Sequence, residues 1–437
     1  MAGRRRHRPP AAASAAAAAP AAAPTRRRSN ACCVSRLTAL YASGVGAVIV
    51  ALVASILKDG SELHKIWTPP TAPPPPPSTI ERAAGALIAT QISCGTSPAE
   101  LIERPTIVER ISHVLNSKLR GVGYTVVIGP RGSGKSTAVQ AAAKNRGGTL
   151  SVTVMSDSSV YGVIAEAIRA AEFEAFGNES LRADGFTITS DAELAQVMRK
   201  AAALRTPHDP SWIPTLIIEV DRSATDPTVS NVAKMLKRWC VDLRAVHGVL
   251  VLSDAIAGFG LPDDRGRQTI VWVEDFSEVE AHAYLDKLRF LLADPKNQKD
   301  VEAKRARRQE LFTTVGTRAA LLKKAVQVGE DGLAAHILSR QQAGEDQLDG
   351  LLGVTTIQTP DGAHKSNFQQ LVRDMLKRDD GLPWSATERY LPPNPAVVAG
   401  VFKVKGQHAV MYHPLTATYR FHLPAHRRAA ALWNQRE

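Results

Sequence analysis

Acidic residues are missing from the first 36 positions of this 437-residue chain, cysteine is scarce throughout, and aromatics make up only 5%. The four cysteines, Cys32, Cys33, Cys94 and Cys240, show no CxxC spacing and no even framework. That excludes a zinc ribbon and a disulfide scaffold. Cys32 and Cys33 adjoin an apolar run, which leaves open a palmitoylation site or two unmodified thiols. The missing acids matter for reading the formal net charge of +12. Eight of those charges are Arg4, Arg5, Arg6, Arg8, Arg26, Arg27, Arg28 and Arg36. The basic character belongs mainly to this tail, and it is no argument that the folded part binds nucleic acid. Elsewhere the balance is that of a foldable protein, with 44% hydrophobic and 22% charged residues, and the length allows two or three domains.

Residues 1–36 alternate arginine clusters with an Ala/Pro tract and hold nothing that can build a core, so this tail is expected to be disordered. Arginine-rich, alanine-rich and acid-free composition also suits an organelle-targeting peptide. Leu37–Leu57 then runs 21 residues without a charge, enough at ~1.5 Å per residue to cross ~30 Å of hydrocarbon. Arg36 closes it on one side and Lys58, Asp59 and Glu62 on the other. The expectation is a single membrane-spanning helix, with the arginine tail on the cytosolic or matrix-like side. Residues 58–79, including the run WTPPTAPPPPPST, form a stiff polyproline spacer that holds the remainder of the chain off the bilayer.

The globular part is expected to begin near Ile80, with helices over 80–90 and 99–119; Pro105 marks the start of the second. From Tyr124 the pattern alternates. Strands are expected at 124–128, 149–155, 214–221, 248–253 and 268–273, and helices at 137–144, 160–173, 191–204 and 229–247. That alternation gives a doubly wound parallel α/β sheet.

Gly129-Pro130-Arg131-Gly132-Ser133-Gly134-Lys135-Ser136 matches the phosphate-loop pattern GxxxxGK[ST] at every fixed position. It lies between an apolar β-branched strand and a helix that opens with Thr137, the context the motif requires. The glycines let backbone N–H groups turn inward around an anion, and the helix N-terminus adds positive potential. Lys135 would reach the β- and γ-phosphates, and the Ser136 hydroxyl would hold Mg²⁺. ATP and Mg²⁺ are the cofactors this loop implies.

With these motifs in place, residues 100–430 resemble P-loop ATPases of the AAA+/STAND (archaeal-ATPase-like) type. The run IERPxxxxxI followed by YTVVIGPRGSGKST, behind a spanning helix, is similar to membrane-anchored proteins of the mitochondrial-escape type and to Crinkler-like P-loop proteins. The resemblance implies a nucleotide core over 80–275, a helical lid over 276–350 and a winged-helix-like module over 351–437. It implies an extra strand between the loop strand and the acidic strand, with Ser253 at a polar sensor position. The run from Val273 to Leu285 looks like the turn that opens the lid, and Val315–Leu322 like the sensor-2 element. There Arg318 replaces a small or polar residue, leaving a phosphate contact or a solvated helix start. In the last module Asn367–Leu376 is expected as an amphipathic helix, and 410–413 and 418–423 as a two-stranded wing. Its four histidines, 408, 413, 422 and 426, lack metal spacing and suit strand and surface positions.

The chain departs from this family at the acidic strand. Related ATPases end it with Asp-Glu, one residue placing Mg²⁺ and the other activating water. Here it reads Ile218-Glu219-Val220-Asp221, so Glu219 takes the metal position and Val220 replaces the catalytic glutamate. Glu219 and Asp221 share a strand face and offer oxygen ligands for a hard cation. The resemblance leaves two functions: a membrane-tethered ATPase acting on a protein or nucleic-acid partner, or a slowly hydrolysing nucleotide switch. An arginine finger from a neighbouring subunit, with Arg238, Arg244, Arg265 and Arg267 as candidates, would favour the enzyme in a homo-oligomer. A mitochondrial inner membrane is the expected location.

Overall fold

The computed structural model describes residues 77–90, 102–115, 123–144, 146–156, 158–177, 179–209, 211–221, 226–252, 261, 266–359, 362–392, 397, 398, 401, 409–413 and 415–436. The arginine tail, the apolar run Leu37–Leu57, all but the end of the proline spacer, and Ser253 lie outside them. Among the described residues no helix is long and apolar enough to cross a membrane.

The first described helix, α1 (Thr79–Ala89), starts where the spacer ends. Ser78 and Glu81 form a reciprocal capping box there, which satisfies two of the N–H groups that every helix start leaves over. α2 (Pro105–Leu115) begins at the proline, as the fixed φ of Pro at a first helical turn favours. The expected helix over 99–119 is thus shorter within the described residues: Ile102–Arg104 are not helical, and the Arg104 side chain is engaged elsewhere.

Five strands come next: β1 (Tyr124–Ile128), β2 (Thr149–Val154), β3 (Thr215–Val220), β4 (His247–Leu252) and β5 (Gln268–Trp272). They form one parallel sheet in the order β2-β3-β4-β1-β5. The extra strand between β1 and the acidic β3 is therefore β4. Alternation along each strand splits the sheet's side chains between two cores. Val127, Ile217, Val249 and Val271 face α2 and α3 (Lys135–Ala143), packing with Ile111, Ala138 and Val139. Val126, Ile128, Ile218 and Leu250 face the opposite way, with α1, α4 (Val160–Phe176), α5 (Asp191–Arg205) and α6 (Asp226–Lys237). Both faces covered by helices is the doubly wound arrangement that near-continuous apolar strands require.

One expected boundary is corrected. The helix foreseen over 229–247 ends at Lys237 and passes into a π-helical turn, Arg238–Asp242, before β4 begins at His247. Trp239 explains the change. Its ring is fully buried beside Tyr161, and its Nε1 donates to Asp191 on α5. A wider turn suits a side chain that must reach a partner across the helix layer.

Beyond the sheet, α7 (Glu278–Lys287), α8 (Gln298–Thr314) and the first half of α9 (Ala319–Leu352) enclose a second core of Phe276, Tyr284, Leu311, Phe312, Leu322 and Ile337. α9 breaks at Gly329 (φ 75, ψ 174), backbone that only glycine adopts without strain. Its far end delivers Leu348 and Leu351 into a third core with Phe368, Leu371, Met375 and Tyr419. That last unit consists of the hairpin β6 (Thr356–Thr359) and β7 (Gly362–Lys365), then α10 (Phe368–Leu376). It continues with β8 (Leu382–Pro383), β9 (Val410–His413), β10 (Thr418–Phe421) and α11 (Pro424–Arg436). The antiparallel order is β8-β10-β9.

Candidate functional site

The loop between β1 and α3 is shaped by close backbone approaches. A Cβ on Gly129 would stand 2.2 Å from the Val273 carbonyl, and one on Gly132 (φ 78) 2.5 Å from Ala320 Cβ. Glycine is required at both on space alone. Ala320 N also donates to the Gly132 carbonyl at 3.2 Å, so the start of α9 is stitched to the phosphate loop. α3 opens directly at Lys135 and Ser136, pointing its unsatisfied N–H groups into the loop's concavity.

Lys135 is 6% exposed, and its Nζ donates to the carbonyls of Gly129 at 3.0 Å and Pro130 at 2.9 Å. A buried ammonium needs such partners, and here they come from the loop that would receive phosphate. Ser136 Oγ donates to Glu219 Oε1 at 2.8 Å. That contact joins the helix start to the acidic strand, two elements 83 positions apart in sequence. Val220 is buried at 2% exposure and turns away to the opposite core. Asp221 comes directly after the last residue of β3, with its backbone N–H donating to the Val154 carbonyl at 3.0 Å.

A cavity of about 770 Å³ opens beside the loop. Gly132, Gly134, Lys135, Ser136, Thr137 and Glu219 line it, together with the apolar side chains of Ile102, Val108, Phe276, Tyr284 and Ala319. Arg131 is on the wall and exposed; Ser133 is wholly buried. Glu103, Glu109 and Glu219 are the carboxylates on this wall among the described residues, and Asp221 is not among them. Ser253 lies outside the described residues, so nothing places it here. The oxygen pair of Ser136 and Glu219 fits a hard divalent cation, and the anion-ready loop with apolar side chains lining the same cavity fits a nucleoside triphosphate.

Sequence reasoning missed the residues that hold this cavity together. Arg104, which in the sequence stands in the run IERP just ahead of a helix start, has a side chain 10% exposed. It donates to the carbonyls of Ser133, Glu274 and Asp275 and to Glu280 Oε1. Its guanidinium also lies over the Phe276 ring, 5.3 Å from the centroid. Arg318 is not the solvated helix start offered as one expectation: it is 4% exposed. It forks onto both Asp275 oxygens, at 2.7 and 3.1 Å, and donates to the His422 carbonyl at 3.1 Å. Two histidines expected on strands and the surface are likewise buried. His413 packs on Trp272 with ring centroids 4.1 Å apart, and His426 Nε2 meets Gln347 Oε1 at 2.7 Å. Burial, then the Arg420 charge, push His413 down to about 4. Of the arginine-finger candidates, Arg238 pairs with Asp191 at 2.6 Å and Arg265 lies outside the described residues.

A parallel sheet ordered β2-β3-β4-β1-β5, with a glycine loop leading from β1 into a helix and a carboxylate on β3 against that helix, defines an α/β core of the P-loop NTPase class. No family model and no curated protein matches the chain. Among solved structures, it is similar to the Walker-type ATPase PABY2304 of Pyrococcus abyssi, at 11% identity over 78% of this chain and 99% of that one, TM-score 0.42. Drosophila ORC bound to DNA is similar at 13% identity over 85% and 95%, TM-score 0.33. The Aeropyrum pernix ORC1 protein in complex with DNA is similar at 12% over 80% and 96%, TM-score 0.33. Likenesses this distant say nothing of activity, and the class rests on the chain's own sheet and loop.

Proposed function

We propose that this chain is a membrane-tethered ATP-binding protein of the AAA+/STAND type, resembling mitochondrial-escape-type proteins, that couples nucleotide state to a protein or nucleic-acid partner. The observation that carries the reading is the 2.8 Å contact between Ser136 and Glu219 at the mouth of the phosphate loop. Two oxygen donors from distant segments meet where the motif requires the nucleotide's cation. Mg²⁺ bound there would neutralise charge on the phosphate oxygens. Lys135 exchanges its loop carbonyls for phosphate oxygens, the α3 N-terminus faces the same anions, and Ile102, Val108, Phe276 and Tyr284 receive the base. The lid packs on the loop through Ala320 and Gly132, so a change at the phosphates reaches α9 directly. The hairpin of β9 and β10 beside α10 and α11 supports a winged-helix module as the output element. Leu37–Leu57 would supply the tether, in the mitochondrial inner membrane, and an assembly of several copies would place an arginine finger.

A second reading, a switch that binds ATP and hydrolyses it slowly, is favoured by Val220. The position where related enzymes carry the water-activating glutamate is apolar and turned into the core, and a hydrocarbon cannot take a proton. Asp221 is the other acid at the end of this strand, and among the described residues Glu103 and Glu109 are the further carboxylates that line the cavity. Binding of ATP by the full-length chain, followed by steady-state phosphate release with and without Mg²⁺, tests both. Micromolar binding with turnover in the range of ~1 per second or above supports the enzyme. Binding with no release above that of free ATP supports the switch, and no binding removes both.

A further inference from the structure

Arg104 precedes α2, is remote in sequence from the phosphate loop, and is not itself part of it. Yet its guanidinium donors reach three separate segments. One terminal nitrogen donates to Ser133 in the phosphate loop at 3.2 Å and to Glu274 at 2.9 Å. The second donates to Asp275 at 3.2 Å, and Nε reaches Glu280 Oε1 on α7 at 3.1 Å. The flat of the group lies over Phe276, a ring that also lines the cavity. Nearly every polar direction of a side chain 10% exposed is therefore committed to joining the phosphate loop to the segment from Glu274 to Glu280 that carries Phe276. Only a planar fork can do this, because lysine offers one point charge where arginine offers donors at fixed angles.

We propose that Arg104 is a positioning residue that sets the distance between the phosphate loop and the base-binding wall of the cavity. This rests on the assignment of the cavity to a nucleotide. The consequence is specific. A ligand that touches both the loop and Phe276 gains from having them held in register, as preorganised sites do. A ligand that occupies the loop alone does not. Arg104 touches a loop carbonyl and not the N–H groups or the ammonium that meet phosphate, so the loop's own affinity for an anion does not depend on it.

The test is calorimetric titration of the full-length chain and of Arg104→Met and Arg104→Lys with ATP and with inorganic tripolyphosphate, each with Mg²⁺. Methionine keeps the apolar stem over Phe276 and removes the fork. The expected result for Arg104→Met is ATP affinity lower by about 10-fold or more with tripolyphosphate within about 3-fold of wild type, as loss of one or two charge-assisted bonds implies. Arg104→Lys is expected to lose most of the same ATP affinity. Equal losses for both ligands would show a loop that has simply come apart, and wild-type ATP affinity in Arg104→Met or full rescue by lysine would show that the fork positions nothing; each overturns the proposal. Should the wild-type chain itself fail to bind ATP, the nucleotide reading falls and takes this one with it. Wild-type binding with an unaffected Arg104→Met removes this one alone.

Discussion

Arg318 grips Asp275 with two parallel bonds, Nε to Oδ1 at 2.7 Å and a terminal nitrogen to Oδ2 at 3.1 Å. Its remaining reach goes to His422. The same Asp275 gives its backbone carbonyl to Arg104. One residue at the lid entrance thus ties the sheet's last strand to the C-terminal unit. Removing the arginine from a buried pair leaves its partner uncompensated; because Asp275 keeps 27% of its side-chain surface in water, the expected cost of Arg318→Ala is about 2–3 kcal/mol, below the fully buried range. Denaturant unfolding of the two proteins checks it. A cost below about 0.5 kcal/mol would mean that the pair behaves as a surface contact.

Lys135→Ala removes the ammonium that faces the phosphates. ATP affinity is expected to fall about 100-fold or more, the value of one or two strong charged hydrogen bonds. Fold integrity should be retained, since the lysine's present partners are loop carbonyls that water can serve. Titration calorimetry alongside circular dichroism reads both. Unchanged affinity would sink the assignment of the loop.

Glu219→Gln keeps the hydrogen bond from Ser136 but removes the negative charge. The expected outcome is loss of the Mg²⁺-dependent part of ATP binding, while binding measured with EDTA stays near wild type. Asp221→Asn, off the cavity wall, is expected to leave binding intact and to affect phosphate release alone. If the two variants behave alike, the division of labour along β3 is wrong.

His413 supplies a pH dependence whose sign is fixed. Its folded value, about 4, lies below the ordinary 6.5, so between those limits the unfolded chain binds a proton that the folded chain excludes. Stability from this group is complete above about pH 6.5 and declines as pH falls towards 4. Burial is the larger cause and Arg420 the next, with Glu274 Oε1 3.9 Å away too exposed to offset them. His413→Gln should flatten the decline across that window in denaturant titrations, and an unaltered slope would place the responsible group elsewhere.

The sheet was legible because its information is local. Tyr124–Ile128, Thr215–Val220 and His247–Leu252 are short β-branched runs bounded by turns, and the phosphate loop declares itself in eight consecutive residues. The end of α6 was not, since Trp239 leaves regular helix to reach Asp191, 48 positions earlier. Arg104 was illegible for the same reason. Its partners lie 29, 170, 171 and 176 positions away, and the run IERP that contains it carries a resemblance in the sequence but no sign of these contacts. Arg318 gave a wrong impression of exposure because an arginine at a helix start is ordinarily solvated. Only the fold brings Asp275 and His422 to it.

The long helix α9 carries a consequence for how this protein can be divided. Leu322, Leu333 and Ile337 belong to the second core and Leu348 and Leu351 to the third. A chain ended at residue 350 would lose Leu351 with the rest of the third core and leave Leu348 without its neighbours. A cut at Gly329, where the backbone already leaves helical geometry, would instead carry Leu333 and Ile337 away from Phe276 and Leu311. Lid and terminal module must therefore be inherited together, and a graft between relatives would have to exchange both in one piece.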